Sequence, residues 1–319
     1  MILTHRFVPK VLLLVLLFLG TTQLQAQTGN SSAYPAQIIS PTIPTSISFC
    51  GEKIDLTRYN NRERMDREML SFCYMHSTSL QLLKKANRYF PVIEPILKEE
   101  GIPSDFIYLM VIESHLNPRI RSGAGAVGLW QFMPKTARDY GLEVNKNIDE
   151  RCHIEKSTRA ACKYLKDAYK KFNDWSLVAI SYNAGIARIS RLVAQQEVKK
   201  ASDLYLVTET SRYLFRIVAA KAFFNNPVQF GFRIHASDLY APLRYTKKVI
   251  STGIANLAAY AKQNKTTYAL LKDANPWLKD TFLQNRSKRR YTLLLPVASS
   301  LYYNPSTIKP YRKEWVVSK

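Results

Sequence analysis

Residues 111–133 read VIESHLNPRIRSGAGAVGLWQFM. One carboxylate, Glu113, closes the apolar run Phe106-Ile-Tyr-Leu-Met-Val-Ile112, and a glycine-rich segment leads on to Gly128-Leu-Trp-Gln131. Two folds compete for this stretch. If the apolar run is a strand, Gly123-x-Gly125-x-x-Gly128 satisfies the dinucleotide-binding fingerprint, with Glu143 twenty residues beyond Gly123. The spacing argues against it. A phosphate-binding turn follows its strand at once, whereas here a segment that includes Pro118 separates Ile112 from Gly123. If the run is a helix, Pro103-Ser104 open it and Asn117-Pro118 end it, because the residue before proline resists helical backbone. Glu113 then lies near Ile112, Leu116 and Trp130. A carboxyl group among such side chains loses hydration, and its pKa rises. A general acid working near neutral pH needs that shift. A lone glutamate is more often a solvated surface group, so Glu113 needs supporting neighbours. The glycines are read as letting backbone approach an extended ligand closely.

The surrounding pattern is helical. Leu80, Leu83, Phe90, Ile93 and Leu97 follow a helical spacing that Gly101 stops. Helices are expected over 127–140, closed by Gly141, and over 157–172. Asp174 caps a helix over 175–184 that Gly185 ends. Thr208-Glu209 start another over 211–224. No alternating strand pattern occurs between 56 and 225, which leaves an all-α domain. After Pro227 the character changes. Strands at 245–250 and 291–296 bracket two short helices, near 254–261 and 268–272, in a β-α-α-β module.

With 319 residues and 46% hydrophobic content, the chain can build a real core. Residues 1–26 read as a cleaved secretory signal peptide: Arg6 and Lys10, an apolar run over 11–19, and Ala26 at the cleavage point. No cysteine follows that run before Cys50, so a lipoprotein anchor is not expected. Residues 27–55 are read as a linker or laid-down arm, 56–230 as the catalytic domain, 240–300 as the module and 301–319 as a tail. The formal charge of +22 favours an anionic partner. For an exported protein that partner is the cell envelope rather than nucleic acid, and peripheral envelope association is one form it could take. Cys50, Cys73, Cys152 and Cys162 permit two disulfides, with Cys50–Cys73 and Cys152–Cys162 as the sequence-local pairs. No CxxC or HExxH spacing occurs, so neither metal nor cofactor is expected. Oligomeric state is not readable from these features.

Further along lie Ser181-Tyr182-Asn183-Ala184-Gly185, at a helix end, and Glu209-Thr210-x-x-Tyr213. With Glu113-Ser114 and Gly128-Leu129-Trp130-Gln131, in this order, the chain resembles the lysozyme-like lytic murein transglycosylases, most closely the membrane-bound D type. The resemblance covers roughly 85–230. It implies a mainly α, lysozyme-like domain of the goose-type and soluble lytic transglycosylase kind. It also implies peptidoglycan glycan strands as substrate, with Glu113 as the catalytic acid and then base. By the same resemblance Ser114 and Tyr182 orient Glu113 and contact sugar, and Gln131 and Asn183 bind N-acetyl or hydroxyl groups. Met133 floors the cleft, Trp130 is packing, and Glu209 binds sugar or braces helices. The module, through Leu270-Leu271-Lys272-x-x-Asn275-Pro276 and Leu294-Leu295-Pro296, resembles a degenerate LysM domain. The glycine and aspartate usual in its first turn are absent from Val249-Ile-Ser-Thr-Gly253. Binding of acetylglucosamine-containing glycan and capping of the catalytic domain both stay open for it.

Two other functions stay open beside a periplasmic or envelope lytic transglycosylase. A hydrolytic lysozyme on the same fold would want a second carboxylate, for which Asp139, Asp149 and Glu155 are available. A non-catalytic peptidoglycan-binding protein would have no need of a buried acid.

Overall fold

The computed structural model describes residues 38–318; the signal-peptide reading at 1–26 lies outside them. Ten α-helices and four short strands are formed among the described residues. The first strands, β1 (Ser46–Phe49) and β2 (Glu52–Asp55), make an antiparallel hairpin. Its two-residue turn, Cys50-Gly51, has positive φ at both positions (53° and 87°), as a tight hairpin turn requires.

Of the two readings for this segment, residues 46–55 form a laid-down arm. Phe49, Ile54 and Leu56 are buried in the main core. Glu52 accepts from Trp175 N at 2.6 Å and from Ser176 N at 3.1 Å, the free amides at the start of a later helix. Lys221 ties Ser48 O to Asp105, both at 2.7 Å.

Helices α1 (Tyr59–Tyr74) and α2 (His76–Glu99) follow. Next comes α3 (Phe106–Ser114), with Phe106 through Val111 all buried. A helix apolar on every side has to be central. The expected helix over 127–140 is formed only as α4 (Pro134–Asp139). Residues 127–133 are a loop, because Gly128 and Gln131 take left-handed φ (85° and 47°) and Val127 pairs with Phe132.

Helices α5 (Ile154–Phe172) and α6 (Trp175–Ala184) match the sequence reading, with Asp174 accepting from Leu177 N at 2.6 Å and Gly185 ending α6. The pattern did not foretell α7 (Ile186–Gln196). Helix α8 (Thr208–Asn225) packs against α1, α3 and α6.

In the module, β3 (Tyr245–Ile250) pairs antiparallel with β4 (Tyr291–Pro296) around α9 (Leu257–Gln263) and α10 (Tyr268–Ala274). Residues 301–318 are more than a tail. Ile308 and Trp315 are buried in the main core. Trp315 Nε1 donates to Phe224 O at 2.9 Å, one of the last carbonyls of α8. Arg312 donates to Tyr108 on α3 and to Glu94 on α2, and Asn87 of α2 binds backbone at Lys309 and Tyr311. The segment thus straps α2, α3 and α8 together.

All four cysteines are free, so neither sequence-local disulfide is formed. Among the described residues no helix is long and apolar enough to cross a membrane, and no group of three or more His, Cys, Asp or Glu is placed to hold a metal.

Candidate active site

Glu113 occupies the last turn of α3, half-buried. The backbone turns sharply just after it. His115 and Leu116 both adopt left-handed φ (47° and 54°), a costly conformation for residues with side chains. Ser114 holds this corner. Its hydroxyl donates to Met110 O at 2.9 Å and accepts from Leu116 N at 3.2 Å, and the residue is fully buried. In this conformation the Ser114 hydroxyl is shielded from solvent and bonded within the turn.

Tyr213 of α8 donates its phenol hydroxyl to Glu113 Oε1. Burial raises the Glu113 pKa, while the Tyr213 hydrogen bond and the Arg216 charge pull it down; burial prevails. Burial also lifts the Tyr213 phenol well above its ordinary range, so it stays a donor. Arg216 lies one turn beyond Tyr213. Its Nε is 3.6 Å from the buried carboxylate of Glu68 on α1, which also takes Arg212 Nε. The sequence motif Glu209-Thr210-x-x-Tyr213 carries no role for Tyr213, and nothing in the sequence marks Glu68 or Arg216. These three lie far from Glu113 in sequence, and local spacing carries no signal for such a pairing.

Tyr182, in the last turn of α6, donates to Trp130 O at 2.6 Å. It thereby fastens the helix end to the residue before Gln131. Its ring meets Tyr164 edge-on at 5.2 Å. Trp130 is buried with Nε1 donating to Thr158 at 2.9 Å, so it is packing, as expected. Gln131 spends its amide nitrogen on Gly128 O at 2.9 Å and Ile120 O at 3.3 Å. Asn183 and Met133 are exposed at the edges of these elements. Glu209 is exposed in the first turn of α8, four residues before Tyr213 and so on the same helix face.

At Gly128 the glycine serves a different contact from the one expected. A side chain at Gly128 would lie 2.0 Å from Arg151 O, so the close approach there is to the protein's own backbone. Gly123 and Gly125 face open space, and the element leading into them is helix α3, not a strand. The three carboxylates considered for a hydrolase are engaged elsewhere. Asp139 pairs with Lys135 at 2.8 Å and Glu155 with Lys247 at 3.2 Å. Asp149 is buried against Arg151, with both of its oxygens bonded at 2.8 Å.

Comparison with known families finds matches in two parts of the chain. Residues 90–205 match the transglycosylase SLT domain. The chain carries an SLT domain. Residues 246–299 match the soluble lytic transglycosylase C-terminal LysM-like domain. Over 232 residues the chain is 27% identical to membrane-bound lytic murein transglycosylase D of Escherichia coli (strain K12), a match that takes in 69% of this chain and 50% of that one. The chain thus spans about half the length of that relative. A putative tributyltin chloride resistance protein of Alteromonas sp. (strain M-1) is 27% identical over 129 residues, covering 40% of this chain and 62% of that protein. The 70 kDa soluble lytic transglycosylase of Escherichia coli overlaps 43% of this chain and 24% of its own, at 22% identity and a TM-score of 0.38. The SLT domain contains Glu113, Gln131, Tyr182 and Asn183, while Tyr213 lies just beyond the matched residues.

Proposed function

We propose that this chain is an exported lytic transglycosylase of peptidoglycan. It cleaves the β-1,4 bond between N-acetylmuramic acid and N-acetylglucosamine and leaves 1,6-anhydro-muramic acid. The observation that carries this reading is the carboxyl of Glu113, its pKa raised by burial at the end of the central helix and its Oε1 held by the Tyr213 hydroxyl.

Glu113 gives its proton to the glycosidic oxygen as the bond from that oxygen to the muramic acid C1 breaks. The resulting carboxylate takes the proton of the C6 hydroxyl, whose oxygen closes onto C1. Glu113 is left protonated and no water is consumed. An internal nucleophile has the advantage of proximity. Tyr213 and Arg216 stabilise the carboxylate between the two steps. The Gln131 oxygen and the exposed Asn183 amide suit N-acetyl and hydroxyl groups. The leader read at 1–26 and the +22 charge support export to the anionic envelope, the periplasm being the compartment the reading favours.

The test is mass spectrometry of the products released from purified peptidoglycan. Products lighter by one water than the hydrolysed muropeptides are expected. Reducing-end products would make the enzyme a lysozyme and refute the internal attack.

A second expectation concerns pH. The acid step needs protonated Glu113, so activity falls as pH rises through its pKa. Tyr213→Phe removes a bond that favours the charged form, and the proton is then held to higher pH. The alkaline limb of the kcat/KM profile should move up while kcat drops. A limb that stays put or moves down would count against Tyr213 as the partner of the acid.

A further inference from the structure

The LysM-like module shares its core with the SLT domain. Val127, Ile148 and Cys152 of the SLT domain are buried in one cluster with Leu257, Leu271, Trp277 and Leu283 of the module. The polar contacts are equally close. Ile148 pairs antiparallel with Leu278, and Asp149 N donates to Trp277 O at 2.9 Å. Lys279 N donates to Asn147 O at 3.0 Å. The Asn147 side chain is buried and fully used: Nδ2 donates to Phe282 O at 2.9 Å and Asp280 Oδ2 at 3.0 Å, and Oδ1 accepts from Gln284 N at 2.9 Å. Leu283 pairs on its other side with Ile254. The module loop over 277–284 is therefore bonded to the SLT domain along one edge and to its own module along the other.

A continuous set of buried bonds runs from this seam to the glycine loop. Asp149 grips Arg151 through Nε and Nη2, both at 2.8 Å. Arg151 Nη1 donates to Gly125 O and Phe132 O, both at 3.0 Å. Those two carbonyls bracket Gly128 and Gln131, and Val127 between them is anchored in the module's core. A mobile glycan-binding arm would need a wet, separable contact with the catalytic domain. Here separation would expose the shared apolar cluster and break the Asn147 and Asp149 bonds to the module.

We propose that the LysM-like module is a fixed brace for the loop that carries Gln131. Asn147 and Asp149 dock the SLT domain onto it, and Arg151 relays that anchorage to the loop carbonyls. All three are positioning residues. The consequence for substrate rests on the function proposed above; the coupling of seam to loop does not.

The experiment uses the full chain and two separate variants, Asn147→Ala and Arg151→Lys, with folding checked by near-ultraviolet circular dichroism. Amide hydrogen exchange over 119–133 is compared with that of α3 and α8. Exchange in the loop should accelerate roughly 2–30-fold, the range for couplings carried through a packed network, with α3 and α8 unchanged. On soluble glycan strands KM should rise by a similar factor while kcat is held. Loop exchange that equals wild type in both variants would overturn the brace. Faster exchange with unchanged KM would overturn the positioning role and reduce the seam to a structural contact. Absence of cleavage by the wild-type chain would refute the proposed function instead, and the exchange comparison would still decide the brace. If one variant does not fold, the other carries the test.

Discussion

Glu113→Gln should lower the rate of glycan cleavage by ~10²–10⁴-fold or more, the range supplied by a positioned general acid. Glutamine nearly matches the shape of glutamate and can still meet the Tyr213 hydroxyl, but it has no proton to deliver and cannot then act as base. Folding should survive, with a definite sign in its pH dependence. Burial raises the Glu113 pKa in the folded protein above its unfolded value. The wild-type carboxyl therefore contributes stability that is full below the unfolded pKa and is lost as pH rises through the folded one. The variant lacks this loss, so at neutral pH it should be at least as stable as wild type. Initial rates on purified peptidoglycan, with thermal melts across pH, measure both. Cleavage within tenfold of wild type, with the fold intact, would remove Glu113 from the chemistry.

Trp315→Ala should cost about 3–5 kcal/mol, the range for a large aromatic side chain deleted from a core. Trp315 is 1% exposed. Its ring packs edge-on against Phe90 of α2 and tilted against Phe224 of α8, and Arg312 lies over its face. The substitution also leaves Phe224 O without the indole donor. That is a large share of the ~5–15 kcal/mol typical of a whole domain, and a fall in Tm on the order of 10 °C is expected. Tyr302→Ala is the control. Tyr302 is 80% exposed, and its loss should change stability by less than about 0.5 kcal/mol. Urea unfolding that gives Trp315→Ala less than about 1 kcal/mol would mean the strap adds little to the core. Because the strap binds Tyr108 on α3 through Arg312, its loss should also loosen the helix that carries Glu113.

The central helix could be read from FIYLMVIES because such a run is apolar on every face and has nowhere to go but the core. Helix α6 was marked at both ends by local chemistry, an aspartate whose side chain takes a free amide and a glycine that steps out of helical φ. The β-α-α-β order of the module followed from short apolar runs between turn residues. Glu113 stood out as an acid at the end of an apolar helix, and the resemblance by motif added Gln131, Tyr182 and Asn183 to the candidate site.

What spacing could not supply was decided by contacts between distant segments. Residues 127–133 have a composition that a helix tolerates, yet Gly128 must pass the Arg151 carbonyl and Gln131 turns left-handed, so the segment is a loop. Ser114 is next to the acid in sequence, but its hydroxyl is closed into the turn by Met110 and Leu116. The hairpin over 46–55 and the strap over 301–318 looked like linker and tail because they are short and carry no long helical repeat. Each is ordered by a few side chains docked into a core made elsewhere: Phe49 and Ile54, Ile308 and Trp315. By itself the sequence determined most of the helices, α3, α5, α6 and α8 among them, and put Glu113 at the end of α3, since helical periodicity and caps act within a few residues. The tertiary structure alone decided what holds that acid and its loop. Tyr213, Arg216, Arg151 and the module reach them only through packing that no local pattern encodes.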